Sequence, residues 1–213
     1  MSLRKISLSN NEFYHIYNRG VDKRDIFSDK KDILRFFDSI REFNCKKPIG
    51  SLYENSFKKE KTQLGSEASK LVDVVAYCFN SNHFHLILRQ NIDKGIEKFM
   101  QRLGTGYTKY FNNRNKRSGN LFQGVFKSKY IDSNEYLLYL SAYVNLNDKL
   151  HGINKKESIT FSSLKEYTDD SISGICEKSI ILDQYKNKEE YKNFLDNSLP
   201  ELMRQKEEKK ELE

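Results

Sequence analysis

Two histidines separated by a single residue, His83 and His85, stand in the run Asn82-His83-Phe84-His85-Leu86-Ile87-Leu88. The apolar and β-branched residues that follow them predict a strand. Alternate side chains of a strand share a face, so His83 and His85 project side by side and Phe84 points the opposite way. Two neighbouring neutral imidazoles can hold a divalent metal. The competing reading is a chance pair among the chain's four histidines. A second set, Tyr139, Tyr143 and Asn147, recurs every four residues in a stretch of helical character and therefore occupies one helix face. A tyrosine in that setting is ordinarily a half-buried packing residue. The third set is the run Asn112-Asn113-Arg114-Asn115-Lys116-Arg117-Ser118-Gly119, which carries three positive charges, no acid and several amides. Such a loop suits phosphate contacts, and a solvated turn is the alternative.

The elements that must position these residues follow from periodicity. Residues 12–18 are rich in aromatic and β-branched types and end at the turn Asn18-Arg19-Gly20, which predicts a first strand. His15 lies inside it and reads as a packed or hydrogen-bonding histidine rather than a ligand. Ser28-Asp29 caps a helix whose stripe is Ile33, Leu34, Phe36, Phe37, Ile40 and Phe43. Residues 46–70 break the pattern with Pro48, Gly50, Gly65 and a lysine-rich run, and read as a loop insertion. Residues 71–79 predict a second strand, turned by Asn80-Ser81-Asn82 into the histidine strand. Ile92-Asp93 opens a second helix reaching Phe111. Residues 121–131 predict a last strand ending in basic residues. A third helix runs from about Asn134 to Asp148, with Leu137, Leu140, Val144 and Leu146 supplying the residues that pack on the sheet. Beyond Gly152, residues 161–167 read as a short docked segment, 187–197 as a short helix, and 204–213 as a charged tail of frayed helix or disorder.

The first six elements have the βαββαβ order. The expected fold is therefore α+β: a ferredoxin-like split antiparallel sheet with helices on one face, followed by a C-terminal helix and tail. The expected division is 1–155 for the main domain, 156–200 for a docked extension and 201–213 for the tail. Lys and Arg exceed Asp and Glu by seven, which favours a polyanionic partner. Three scattered cysteines, Cys45, Cys78 and Cys176, form no metal knuckle or disulfide framework and point to a reduced, cytoplasmic protein. No stretch reads as a signal peptide or a membrane span.

At this point the residues resemble a known family. Tyr14-His15 precedes Asn18-Arg19-Gly20, and Asn82-His83-Phe84-His85 follows. Next come Gly104 to Phe111, then Gly119-Asn120-Leu121-Phe122-Gln123-Gly124 with Phe126-Lys127-Ser128. Last is Tyr143-Val144-Asn145-Leu146-Asn147, then Gly152. In this order and spacing they resemble the single-tyrosine HUH transposases (the IS200-like transposase domain), and within them the REP-associated tyrosine transposases of bacteria. The resemblance spans about Phe13 to Tyr167. It departs from the family at Asn147-Asp148, where Asn-Pro is usual, and at Val125, where a basic residue is frequent.

The resemblance implies that His83 and His85 ligate Mg²⁺ or Mn²⁺ with Asn147 as the polar third ligand, and that Tyr143 is the catalytic tyrosine. The implied partner is single-stranded DNA with a hairpin, acted on by a monomer or homodimer away from any membrane. The implied reaction is strand cleavage and transfer through a 5′-phosphotyrosine. Arg19, Arg114, Lys116, Arg117, Lys127 and Lys129 are the expected DNA contacts. Two other functions fit fewer of these residues: a non-catalytic regulator that binds DNA hairpins, and a metal-dependent hydrolase in which Tyr143 only packs.

Overall fold

The computed structural model describes residues 8–50, 52, 70–150 and 160–211. Its sheet has five strands: β1 (Phe13–Arg19), β2 (Val72–Asn80), β3 (His83–Gln90), β4 (Lys127–Ile131) and β5 (Thr160–Ser162). Their spatial order is β4-β1-β3-β2-β5, and each neighbouring pair is antiparallel. The first four strands thus have the expected split arrangement. The fifth comes from residues expected only to dock, because Phe161 and its neighbours pair with the free edge of β2 and cover it.

Helices α1 (Lys30–Phe43) and α2 (Gly95–Arg114) lie on one face. Asp29 caps α1 by accepting from the Lys31 and Asp32 amides, as Ser28-Asp29 predicted. Ile33, Phe36, Ile40 and Phe43 are buried, whereas Leu34 is 45 % exposed; it sits at the border of the stripe and belongs to solvent. The two helices meet at Gly106, where any Cβ would stand 2.7 Å from the Phe43 ring. Helix α2 begins two residues after Ile92-Asp93. Lys94, with φ of 57°, turns the chain there without a side-chain cap.

The expected last strand is shortened to Lys127–Ile131. Residues 121–126 leave the ladder because Gly124 adopts φ of 74° and Gln123 N donates to Arg19 O, so this segment clasps the end of β1 instead.

The opposite face carries α3 (Asn134–Asn145), capped by Ser133, and the single turn α4 (Asn147–Leu150). Leu146 interrupts the expected continuous helix, yet its amide still bonds Ala142 O and its carbonyl accepts from Leu150 N. After α5 (Leu164–Thr168) and α6 (Ser179–Leu182) comes α7 (Lys188–Glu211), longer than the short helix and frayed tail expected. Tyr191, Leu195 and Leu202 of α7 share a core with Leu137, Leu140 and Val144 of α3. Most of the 46–70 insertion, from residue 53 to 69, lies outside the described residues.

One irregularity decides which side chains reach which face. Val74 pairs with Leu88 and Ala76 with Ile87, so Val75 is an extra residue in β2. A bulge of this kind reverses the facing of everything after it. Tyr77 and Phe79 therefore join the aromatic core under α1 and α2, and Cys78 joins the core under α3.

Candidate active site

Cross-strand partners share a face, and the register sets two rows beneath α3. Lys127, Tyr17, His85, Cys78 and Ser162 form one row across all five strands; Arg19, His83, Asn80 and Thr160 form the next. A third row behind them contains Lys129 and His15. Three of the expected DNA contacts, Arg19, Lys127 and Lys129, thus lie on the same face as the histidine pair, and all three are exposed.

The two imidazoles stand perpendicular with centroids 5.1 Å apart. The Tyr143 ring meets His85 edge-on at 5.8 Å, and Asn147, fully buried one turn later, reaches the His83 side. The structure thereby brings together four residues separated by up to 64 positions (147 − 83) in sequence.

Hydrogen bonds fix the state of His83. Asn82 Nδ2 donates to Lys23 O at 3.2 Å, which turns Asn82 Oδ1 toward His83 Nδ1, 2.6 Å away. An amide oxygen only accepts, so His83 carries its proton on Nδ1. Its Nε2 lone pair accepts from Asn80 Nδ2 at 3.0 Å, and the same Asn80 nitrogen donates to Asn147 Oδ1 at 2.7 Å. An imidazole nitrogen and an amide oxygen thus aim lone pairs at one point. That convergence, with a second imidazole beside it, is a donor set that fits a divalent cation. Among the described residues no three His, Cys, Asp or Glu side chains converge, so the amide oxygen is an essential part of the set.

His15 completes the second imidazole. Its Nε2 lies 2.9 Å from His85 Nδ1, and the rings stack at 5.1 Å. Burial, helped by the charge of Lys129, pushes the His15 pKa down to about 4, so His15 is neutral and has one proton to place. With that proton on Nδ1, His15 accepts from His85 Nδ1, so the far nitrogen of His85 carries no proton, as a ligand requires. The hydrogen-bonding role expected for His15 is the one it has.

Burial raises the Tyr143 phenol above its usual pKa, and the Asn147 amide offsets part of the rise. The Asn147 Nδ2 is the end of the amide that can favour an ionised phenol, and it does so from beyond hydrogen-bond geometry, since that nitrogen makes no hydrogen bond with a described residue. The other two tyrosines of α3 are engaged elsewhere. Tyr139 Oη donates to Gln205 of α7, and Tyr136 lies under the Lys129 ammonium.

The remaining basic residues belong to a different layer. Arg114 ends α2, where its guanidinium pairs with Asp29 and the fully buried Asp32. Its charge is balanced inside the fold, holding the Asp29 carboxyl well below the usual carboxylate range. Arg117 bonds Asn112 and Asn120 within its own turn, and Lys116 is exposed beside it. We expect Arg114→Gln to lower the melting temperature, since Asp32 would stay buried without its counter-charge, and to leave DNA affinity nearly unchanged; thermal denaturation and a binding titration check both. Asn80, Asn82 and Tyr17 were not singled out in the sequence. A two-residue turn between Asn80 and His83 sets these residues directly opposite each other, which was the available clue.

Residues 52–147 match the family model described as transposase IS200 like. Among solved structures, the chain is similar to a REP-associated tyrosine transposase bound to a REP hairpin, with TM-score 0.52 and 12% identity, covering 82% of this chain and 90% of that one. At that identity the likeness concerns the fold. No curated protein sequence matches. Among the described residues no helix is long and apolar enough to cross a membrane. The resemblance and the fold read from the sequence are both borne out.

Proposed function

With residues 52–147 carrying the IS200-like transposase pattern as premise, we propose that this protein cleaves and rejoins single-stranded DNA beside a hairpin through a covalent link to Tyr143. The observation that carries this reading is the meeting of His83, His85, Asn147 and Tyr143 on one sheet face, with Arg19, Lys127 and Lys129 flanking it. The similar structure, seen with a REP hairpin, supports a folded DNA element as the partner.

Tyr143 Oη attacks a backbone phosphorus, the bond from phosphorus to the 3′-oxygen breaks, and that oxygen leaves as a 3′-hydroxyl after taking a proton. The product is a 5′-phosphotyrosine, whose bond energy allows a 3′-hydroxyl to reverse the step. His83, His85 and Asn147 would hold Mg²⁺ or Mn²⁺, which supplies polarisation of the phosphate oxygens and offsets developing charge. His15 and Asn82 hold the two imidazoles in the tautomers that expose lone pairs. The Asn147 amide favours the ionised phenol. Arg19, Lys127 and Lys129 neutralise backbone phosphates, while Tyr17 between them offers a ring on which a base can stack.

Incubation of the protein with a hairpin bearing a single-stranded flank and Mn²⁺, followed by a denaturing gel, tests the proposal. A protein–DNA band that survives denaturation is expected. Binding without that band would leave a hairpin-binding regulator, and cleavage without it a hydrolase. The basic face has its own expected outcome. Replacing Arg19, Lys127 and Lys129 with glutamine should reduce the slope of log affinity against log salt by about 2, at roughly 0.7 for each single-strand phosphate that is no longer neutralised. An unchanged slope in salt-titrated binding would place the strand elsewhere.

A further inference from the structure

Asn80 lies at the centre of the donor set yet belongs to none of the family's motif residues named above. It is 4 % exposed. Its Nδ2 satisfies both His83 Nε2 and Asn147 Oδ1, while its Oδ1 is buried with no hydrogen-bond partner among the described residues. An orphaned buried acceptor is costly, and here it belongs to the same planar amide whose other end bridges two lone pairs. A half-turn about the Cβ–Cγ bond exchanges the two ends, which differ little in size.

The two orientations answer opposite conditions. Without a cation, the nitrogen end forward makes two hydrogen bonds, whereas the oxygen end forward would set one acceptor against two others. With a cation between His83 and Asn147, the nitrogen end forward would direct its protons at a positive charge, and the oxygen end forward adds a ligand. The preference of the amide therefore reverses with occupancy.

We propose that Asn80 is a further cation ligand of this site: its amide holds the lone pairs of His83 and Asn147 when no cation is bound, and turns to present Oδ1 when one is. This rests on the reading of His83, His85 and Asn147 as a cation site. The register supports it, because Asn80 pairs directly with His83 and Cys78 with His85, which puts Asn80 on the histidine face instead of in the aromatic core. The ligand set becomes two imidazole nitrogens and two amide oxygens, which suits Mg²⁺ or Mn²⁺ better than a softer metal.

The test measures Mn²⁺ binding to the full chain by calorimetry and by the spin-resonance signal of free Mn²⁺, without DNA and without reference to cleavage. Asn80→Asp is decisive because a carboxylate only accepts. As a ligand it should tighten Mn²⁺ binding about 10-fold or more, since an anion replaces a neutral oxygen. It should also lower the melting temperature of the cation-free protein and widen the rise that Mn²⁺ produces. A merely structural Asn80 predicts the reverse, since aspartate would repel both neighbours and loosen the site, so weaker binding by Asn80→Asp overturns the proposal. If Asn80→Asp does not fold even with Mn²⁺, Asn80→Ala decides: affinity lower by more than about 100-fold, beyond the range usual for residues that only support a ligand, upholds the role, and a smaller fall or none overturns it. His83→Ala separates the two levels of the argument. Wild-type protein that binds no Mn²⁺ would refute the cation site itself. Binding that His83→Ala abolishes and neither Asn80 variant alters would refute only the part assigned to Asn80.

Discussion

Tyr143→Phe should form no covalent protein–DNA adduct and cut no strand. The substitution keeps the ring that meets His85 at 5.8 Å and removes only the hydroxyl, so the fold should lose no more than about 1 kcal/mol. DNA affinity should persist, because Arg19, Lys127 and Lys129 are untouched. Thirteen tyrosines are present, and α3 alone carries three, which makes the choice specific. Tyr139 donates its hydroxyl to Gln205, and Tyr136 is held by Lys129. Tyr143 alone of the three combines a histidine neighbour with the Asn147 amide. Peptide mapping of the wild-type adduct by mass spectrometry checks the assignment; an adduct on Tyr136 or Tyr139 would refute it even if the reaction class survived.

His83→Ala and His85→Ala should each weaken Mn²⁺ binding by more than about 100-fold, beyond the range usual for residues that only support a ligand, and reduce strand cleavage to background. Both histidines are partly exposed on a sheet whose cores lie elsewhere, so neither change should unfold the protein. His83→Ala also strands the Asn82 oxygen and frees the Asn80 amide, and a modest fall in melting temperature is expected. Circular dichroism, calorimetry and the cleavage gel on the same preparations separate these effects. Full cleavage by the double variant would remove the cation from the reaction. His15→Phe is the graded companion: it keeps a ring in the stack with His85 and removes the bond to Nδ1, and Mn²⁺ affinity should fall by about 10-fold.

The order of the first four strands and three helices was legible because each carries its own period. The 3.6-residue stripe of α1 and the alternation around His83 and His85 are local signals, and the tertiary fold respects them. The shared face of Tyr143 and Asn147 was legible for the same reason. What escaped was non-local. Nothing near Phe161 announces that its segment pairs with β2, since a three-residue strand has too few positions to show a period. Residues 121–126 looked like strand because they are apolar, but Gln123 N donates to Arg19 O at the end of β1 while Gly124 N turns back to Phe122 O. Arg114 looked like a phosphate contact because its loop is basic. Its partners, Asp29 and Asp32, are more than 80 residues away and come near only when α1 and α2 pack. Asn80 was assigned to the turn because the bulge at Val75 hides the parity that places it opposite His83.

That single surplus residue has a consequence for how this strand tolerates change. Along β2 the chain behaves like a two-letter code read alternately to two audiences, and Val75 is one silent letter that swaps the readers. Deleting it would join Val74 to Ala76, whose partners Leu88 and Ile87 are already consecutive, so the ladder would close and Tyr77, Cys78, Phe79 and Asn80 would keep their faces. The strand can therefore lose a residue at this one place, whereas a loss between Ala76 and Asn80 would turn one part of it over. A descendant that lost one residue between Val74 and Ala76 would keep both its chemistry and its foundation, and one that lost a residue nearer the turn would keep only one of them.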